Sequence, residues 1–198
     1  MNKTLLSTFA IAAALALAPA AQAATAVDTG TPDGSGGFPL AFDSTDSVAA
    51  QVSFANATTI ASIYGHIVGA NSGDTFDISL YGDDGGMPAS RQAPTFTATA
   101  TYGADGWNGL SGLGWTVAPG TYWIQFEVNW EDTQGATLFD LGVPHPVTTM
   151  TTADNGLDYS AAPSIGLQVS TVPWPAPAWT MLAGVALLAS LARARRRA

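Results

Sequence analysis

Alternation of large apolar and polar side chains is the feature that most constrains this fold, and it is clearest in the stretch TYWIQFEVNW at residues 121–130. Successive side chains of a β-strand point to opposite faces of the sheet. The two faces are made by alternate residues, namely Tyr122, Ile124, Phe126, Val128 and Trp130 on one, and Trp123, Gln125, Glu127 and Asn129 on the other. The pattern predicts a strand in a sheet with one side buried and the other facing water.

The same alternation returns along the chain, and turns rich in Gly, Asp and Pro, such as GDDGGMP at 82–88 and GADGWNG at 103–109, separate the runs. Turns of this composition at such spacing are typical of connections between short antiparallel strands. We therefore predict an all-β fold, an antiparallel jelly-roll-like β-sandwich. The predicted strands are 38–42, 47–54, 58–68, 74–81, 94–101, 112–117, 121–130, 136–141 and 164–170.

The first 23 residues have the layout of a secretory signal peptide. A short start that carries Lys3 precedes an apolar run from Leu5 to Ala18, and the small-residue triplet Ala21-Gln22-Ala23 follows. We expect an N-terminal signal helix that is cleaved after Ala23. A retained N-terminal anchor is the alternative, although the run is short for a membrane span, which needs about 20 residues.

Charge separates the middle of the chain from its ends. All fifteen acidic residues fall between residues 24 and 171, and that segment holds one of the six basic residues, Arg91. One positive against fifteen negative charges gives the exported part a net charge of −14, which excludes nucleic acid as a partner. Because the sequence has no cysteine, disulfides, thiolate metal sites and a cysteine nucleophile are excluded.

The tail, residues 172–198, has three parts. A proline motif consists of Val172, Pro173, Trp174, Pro175 and Ala176. An uncharged run from Ala178 to Ala192 follows, and the sequence closes on Arg193, Arg195, Arg196 and Arg197. Fifteen residues of helix reach about 22 Å, short of the roughly 30 Å hydrocarbon core. We predict a C-terminal apolar helix that spans a membrane thinly, with its arginines on the cytoplasmic side.

This tripartite tail resembles the PEP-CTERM sorting signal of Gram-negative bacteria, which a membrane protease-transpeptidase, exosortase, recognises. Trp174 stands where that family most often has glutamate, which leaves open which exosortase reads the motif. The resemblance implies an exosortase-type enzyme as partner, transient anchoring in the inner membrane, and delivery to the cell surface or an exopolysaccharide matrix. A plain single-pass anchor is the alternative.

The segment before the tail also resembles the ectodomains often found ahead of such tails, which are presumed β-sandwiches mostly without assigned activity. The resemblance lies in the order of FANATTIASIYGHI, DTFDISLYGDDGGMPA, LGWTVAPGTYWIQF and IGLQVS. We predict a signal peptide at 1–23, a flexible lead-in at 24–44, a β-sandwich domain at 45–171 and the sorting tail at 172–198.

Catalytic chemistry has few candidates in this sequence. His66 and His145 are the two histidines; His66 lies in a strand pattern, and His145 lies between two prolines. The paired carboxylates Glu127 and Glu131 suggest glycoside hydrolysis, but on one extended strand they would lie about 13 Å apart, too far for the reaction. We expect no enzymatic activity.

Four aspartates surround one predicted strand: Asp74 and Asp77 at its start, and Asp83 and Asp84 in the turn that follows. Carboxylates and turn carbonyls supply the oxygen ligands that calcium prefers. Asp and Gly are also ordinary residues of β-turns, and that interpretation is favoured over a calcium site.

Trp123 shares its predicted face with Gln125, Glu127 and Asn129, the wetter side of the strand, and aromatic rings on β-sandwiches bind sugar rings through their apolar patches. We interpret the protein as an exported, non-catalytic surface or matrix component with a structural or interaction role. A carbohydrate-binding module that contacts glycans through Trp123, with or without calcium, is the alternative, and a carboxylate glycoside hydrolase is the third hypothesis.

Overall fold

A computed structural model describes residues 23–128, 137–153 and 158–172 of the chain. The predicted signal helix, the apolar helix of the tail and the arginine cluster lie outside these residues. Within them every regular element is a β-strand, and no helix is long and apolar enough to cross a membrane. The all-β prediction is therefore confirmed for the part of the chain that the structure describes.

Twelve strands can be followed through the described residues. In chain order they are β1 (Ala24–Asp28), β2 (Leu40–Phe42), β3 (Ser47–Phe54), β4 (Thr58–Val68), β5 (Thr75–Gly82), β6 (Phe96–Thr101), β7 (Gly106–Val117), β8 (Gly120–Val128), β9 (Thr137–Phe139), β10 (Thr149–Thr152), β11 (Ser160–Ala162) and β12 (Leu167–Val172). All of their pairings are antiparallel.

The strands form two sheets that share one core. Sheet one has the order β1-β12-β4-β9-β2, with β7 also paired to β4, and sheet two has the order β11-β10-β3-β8-β5-β6. Inward-facing side chains of both sheets pack into a single apolar cluster. The rings of Phe126 in sheet two and Phe139 in sheet one meet edge to face with centroids 5.0 Å apart, as expected for two layers of a β-sandwich.

The outer face of β8 departs from the prediction. Its inward residues Ile124 and Phe126 are fully buried as expected, but Trp123 and Gln125 on the opposite face are buried too. The reason is that β8 is an inner strand of sheet two and long side chains close over it, among them Tyr81, Met150 and Tyr159. The expectation of a water-facing side is wrong for this half of the strand.

Four strands differ from the sequence prediction. β1 lies in the segment predicted as a flexible lead-in, β7 begins at Gly106 rather than at 112, and β10 and β11 were not predicted. β2 falls within the predicted strand 38–42. The unpredicted strands β1, β10 and β11 have only three to five residues, and such short segments carry little alternation. Their places are fixed by partners far along the chain, as in the pairing of β1 with β12.

Candidate functional site

The outer face of sheet two carries a group of buried polar side chains that includes Gln125, Ser79 and Ser47. Its centre is β8, whose alternate residues Trp123, Gln125 and Glu127 point away from the sandwich interior. Tyr81 of β5 lies directly opposite Trp123 in the ladder, and Glu127 lies opposite Asp77. Register alone therefore brings aromatic, amide and carboxyl groups from two strands onto one small patch.

The first part of this patch is a small apolar cluster around Trp123. Ala49, Tyr81, Met150 and Tyr159 pack around the indole. The Trp123 Nε1–H donates a 2.7 Å hydrogen bond to Asp83 Oδ1, which satisfies the polar edge of a buried ring. Since Trp123 has no exposed surface, it cannot stack on a sugar. The predicted glycan contact at Trp123 is wrong, and the ring is part of the structure that supports the patch.

The second part is a chain of hydrogen bonds that fixes Tyr159. The Tyr159 hydroxyl donates to Gln125 Oε1 at 2.6 Å, and Gln125 Nε2 donates to Ser47 Oγ at 2.9 Å. Gln125 is 3 % exposed, so these bonds form away from water and gain strength from it. The chain ties β8 to β3 and to the residue just before β11, and it holds the Tyr159 ring at the surface.

Glu127 is the chemically unusual member of the patch. Desolvation raises the pKa of its carboxyl above the ordinary value, against hydrogen bonds from Tyr81 and Ser79 that act to lower it. One carboxyl oxygen, Oε1, is buried and has no hydrogen-bond partner among the described residues. Burial together with the nearby Glu127 also raises the pKa of the Tyr81 hydroxyl. Leaving a buried hydrogen-bond acceptor without a donor costs free energy of folding, and most buried acceptors in proteins have a donor.

A tight turn between β2 and β3 faces this carboxyl. Asp43 Oδ1 accepts hydrogen bonds from Thr45 N at 2.8 Å, Asp46 N at 3.0 Å and Thr45 Oγ1 at 3.0 Å. These bonds stabilise the charged form and hold the pKa of Asp43 below its ordinary value. Between the turn and β8 lies a cavity of about 160 Å³, lined by Asp43 to Ser47, Tyr81, Ser90, Gln125, Glu127 and Val128.

Two further depressions adjoin this cavity. One of about 230 Å³ includes Ser90, Met87 and Tyr159, and one of about 500 Å³ includes Asp46, Leu40 and Tyr159. Because the first shares Ser90 with the Glu127 cavity, the second shares Asp46 with it, and both share Tyr159, the three lie side by side. We call them together the Tyr159 groove. Separately the two smaller ones fall below the roughly 300–1,000 Å³ of cofactor-sized sites.

The four aspartates predicted as calcium ligands do not meet. Asp74 and Asp83 lie at opposite ends of β5, about 30 Å apart at the rise of an extended strand. Three of the carboxylates accept hydrogen bonds from the protein: Asp74 from Asn71 N, Asp77 from Thr99 Oγ1, and Asp83 from Trp123 Nε1 and Gly86 N. Asp84 uses its backbone in a turn with Met87. Among the described residues no three His, Asp or Glu side chains converge on one point.

The two histidines lie elsewhere. His66 is on the outer face of sheet one, where its Nδ1 is 3.6 Å from Asp140 Oδ2 and its ring meets Trp107 edge to face. His145 is exposed in a loop and its backbone N–H donates to Thr29 O. Neither lies in the Tyr159 groove. Glu131, the predicted partner of Glu127, lies outside the described residues.

The ends of the described domain lie together. Ala23, the predicted cleavage residue, is exposed and directly precedes β1. Ala24 pairs with Thr171, and Val172, the first residue of the predicted sorting motif, is the last residue of β12 and pairs with Thr59. Pro173 to Ala176 and Arg193 to Arg197 lie outside the described residues.

A comparison of the sequence with family models and with curated proteins finds no match.

Sequence reasoning identified Glu127 and the correct strand parity of Gln125, but it missed Tyr159, Ser47 and the Asp43 turn. The missed residues come from two segments, 43–47 and 159, both distant in sequence from β8. The signal for the turn was present, because a stretch such as Asp-Ser-Thr-Asp at 43–46 is typical of an Asx turn. Nothing in the local sequence distinguishes Tyr159 from any other tyrosine of the chain.

Proposed function

We propose that this protein is an exported component of the bacterial cell surface or extracellular matrix, sorted by an exosortase-type system, with a non-catalytic interaction role. The sequence of the tail carries the proposal, because its proline motif, uncharged run and arginine cluster resemble a sorting signal. The first 23 residues have the layout of a signal peptide, which supports export. In the described domain the first and last strands, β1 and β12, pair with each other.

The interaction role rests on the position of the Tyr159 groove. The groove is built mainly on sheet two, whereas both ends of the domain belong to sheet one. A sandwich held to a membrane or a matrix through the β1–β12 edge thus leaves the groove accessible. Two finer structural predictions belong to the proposal, the jelly-roll class of the sandwich and helices in the signal peptide and in the tail.

The tail is tested by replacing Arg193, Arg195, Arg196 and Arg197 with glutamine in the producing bacterium. We expect the natural protein at the cell surface or in the matrix, and the variant in the inner-membrane fraction, because the sorting enzyme no longer finds the arginine cluster. Arg91→Gln, outside the tail, is the matched control and should behave as the natural protein. Equal distribution of the natural and tail-altered proteins would support a plain anchor.

Carbohydrate binding is the second candidate function, and the Glu127 cavity favours it. A small concave site with hydroxyl, amide and carboxyl groups beside an aromatic ring suits a polar, hydroxyl-rich ligand. Glycoside hydrolysis has a narrower basis: burial raises the pKa of Glu127, as a general acid needs. Release of reducing sugar that disappears in Glu127→Gln would establish hydrolysis, and binding without release would leave the binding function.

A further inference from the structure

The free edges of the two sheets differ in how well they are protected against pairing with another chain. A free edge presents unpaired backbone N–H and C=O groups, and proteins commonly block it with a very short strand, a bulge, proline or charged side chains. Among the described residues five strands lie at an edge, namely β1, β2, β6, β7 and β11. Four of these edges carry such a block, and β6 does not.

Shortness or irregularity blocks the other four edges. β2 and β11 have three residues each. The pairing of β1 with β12 shifts register between Thr25 and Val27. β7 contains Gly112 and Gly114 at positive φ, and its pairing with β4 also shifts register. A register shift bends the strand and interrupts the row of backbone groups that a further strand would need.

Strand β6 is a regular and uncharged edge. Its six residues, FTATAT, include no glycine, proline or charged side chain. The uncharged stretch extends on both sides as far as Arg91 and Asp105. β6 pairs with β5 in one unbroken register from Phe96 to Thr101. A straight strand of β-branched residues without charge or proline is well suited to pair with another strand.

The hydrogen-bond register shows which backbone groups of β6 are free. The Tyr102 N–H donates to Asp74 O at 2.8 Å, so these residues form a hydrogen-bonded pair between β6 and β5. Such pairs recur at every second residue of an antiparallel ladder. The N–H and C=O groups of Thr97, Thr99 and Thr101 therefore point away from β5. All three threonines are exposed.

We propose that β6 is a self-association edge, at which a second copy of this chain pairs its own β6 antiparallel about a two-fold axis at Thr99. In that register Thr99 faces its counterpart and Thr97 faces Thr101, which gives three hydrogen-bonded pairs of two bonds each. Threonines then face threonines on the outer side, a favourable cross-strand combination. The two copies of sheet two join into one continuous sheet.

Charge and symmetry favour a second copy as the occupant. One positive against fifteen negative charges between residues 24 and 171 makes two copies repel over most of their surface. At β6 the carboxyl on the adjoining strand is Asp77, which accepts a 2.6 Å hydrogen bond from Thr99 Oγ1. Two such carboxyls would lie three strand spacings apart, about 14 Å, beyond the roughly 8 Å screening length. A two-fold axis also makes the contact self-complementary.

Sedimentation of the purified full chain in detergent tests this pairing over concentrations up to about 1 mM, because a single strand edge is a small interface and gives a weak complex. We expect a concentration-dependent dimer. Thr99→Pro removes both hydrogen bonds of the central pair and leaves those to β5 in place, so it should weaken the dimer at least about tenfold. Thr99→Lys, which sets like charges opposite each other, should also weaken it.

Thr116→Lys is the matched control. Thr116 is an exposed threonine of the edge strand β7, and its hydroxyl bonds to Thr59 on the neighbouring strand, as that of Thr99 does to Asp77. This variant should dimerise like the natural protein. Every variant keeps the apolar tail, so association through the tail cannot separate them. A thermal melt establishes that each variant is folded.

A cysteine crosslink locates the contact, since the sequence has no cysteine. In Thr99→Cys the two Cα atoms would lie about 5.5 Å apart, within the range of a disulfide. Mild oxidation should therefore give a covalent dimer of Thr99→Cys and not of Thr116→Cys.

Four outcomes would overturn the proposal: a natural chain that stays monomeric, Thr99 variants that dimerise as the natural chain does, an equal loss in Thr116→Lys, or equal crosslinking of the two cysteine variants. A monomeric natural chain would leave the edge to a strand from a different protein. The inference goes beyond the proposed sorting and location, and the sorting experiment decides on those separately.

Discussion

At the residue scale, Glu127 links the fold of the sandwich to its proposed role. Its strand register places it opposite Asp77. The side chains of Tyr81 and Ser79 donate hydrogen bonds to its carboxyl, and the Asp43 turn lines the other side of the cavity. The two carboxyls are opposite in character: burial raises the pKa of Glu127, and donated hydrogen bonds lower the pKa of Asp43. Their effects on stability therefore change with pH in opposite directions.

Replacement of Glu127 by glutamine should make the free energy of unfolding less sensitive to pH above the ordinary pKa of a glutamate side chain. The folded protein keeps the Glu127 proton to a higher pH than the unfolded chain, whose ordinary value is 4.5. The contribution of Glu127 to the free energy of unfolding is thus full below pH 4.5 and is lost as pH rises through the raised pKa. We expect Glu127→Gln to gain stability relative to the natural protein between pH 4 and pH 8, measured by urea unfolding.

Asp43→Asn is the control, because its effect on the free energy of unfolding should change with pH in the opposite direction to that of Glu127→Gln. The lowered pKa of Asp43 contributes stability above its ordinary value of 3.8, and that contribution is lost as pH falls through the folded pKa. The natural protein should therefore exceed Asp43→Asn in stability at pH 6, and the difference should shrink toward pH 2. A pH-independent difference for Glu127→Gln would show that the carboxyl is not desolvated in the folded state.

For Trp123 the sequence predicts the face of the strand but not the burial of the side chain. Strand parity correctly placed it on the outer face with Gln125 and Glu127. Its burial was not predictable, because Met150 and Tyr159, which help to cover it, come from segments more than 25 residues away in the sequence. A pattern of period two gives the face of a strand, and tertiary contacts decide whether that face meets water.

At the scale of elements, long strands with clear alternation are predicted closely. The bounds of β3 and β4 agree with the sequence prediction at both ends, because eight and eleven residues carry several repeats of the pattern. The short strands β1, β10 and β11 carry one or two repeats and depend on their partners. The same holds for the Tyr159 groove. Strand β8 was predicted from the sequence, whereas β10 and the residue before β11, which supply Met150 and Tyr159, were not.

The pairing of β4 with β7 depends on a residue without a side chain at Gly109. A Cβ atom there would contact the carbonyl oxygen of Ile63 and lie 2.7 Å from Tyr64 Cα, both on the neighbouring backbone. Backbone atoms in a ladder cannot move aside cheaply. Gly109→Ala should therefore lower the free energy of unfolding by about 1–3 kcal/mol, the usual range for overpacking, measured by urea unfolding.

Gly82 at the end of β5 is the matched control for this substitution. A Cβ atom at Gly82 would have no other atom within 4 Å. Gly82→Ala should change the free energy of unfolding by less than about 0.5 kcal/mol. If Gly109→Ala is equally neutral, the close approach of β4 and β7 at this point does not exist in solution.

At the scale of the whole described domain, its first and last strands and the Glu127 cavity lie on different sheets. The domain begins and ends in the paired strands β1 and β12 of sheet one, while the Glu127 cavity lies on sheet two. The sequence predicts the flanking signal and tail from local composition, which needs no tertiary contact. It does not predict that the first and last described strands are neighbours, because that follows from the long-range pairing of Ala24 with Thr171.

The most direct test of this account is the intact mass of the protein recovered from the cell surface or matrix of the producing bacterium. The account predicts a chain that begins at Ala24 and lacks the arginine cluster at residues 193–197. A surface-recovered chain that still extends from Met1 to Ala198 would contradict it.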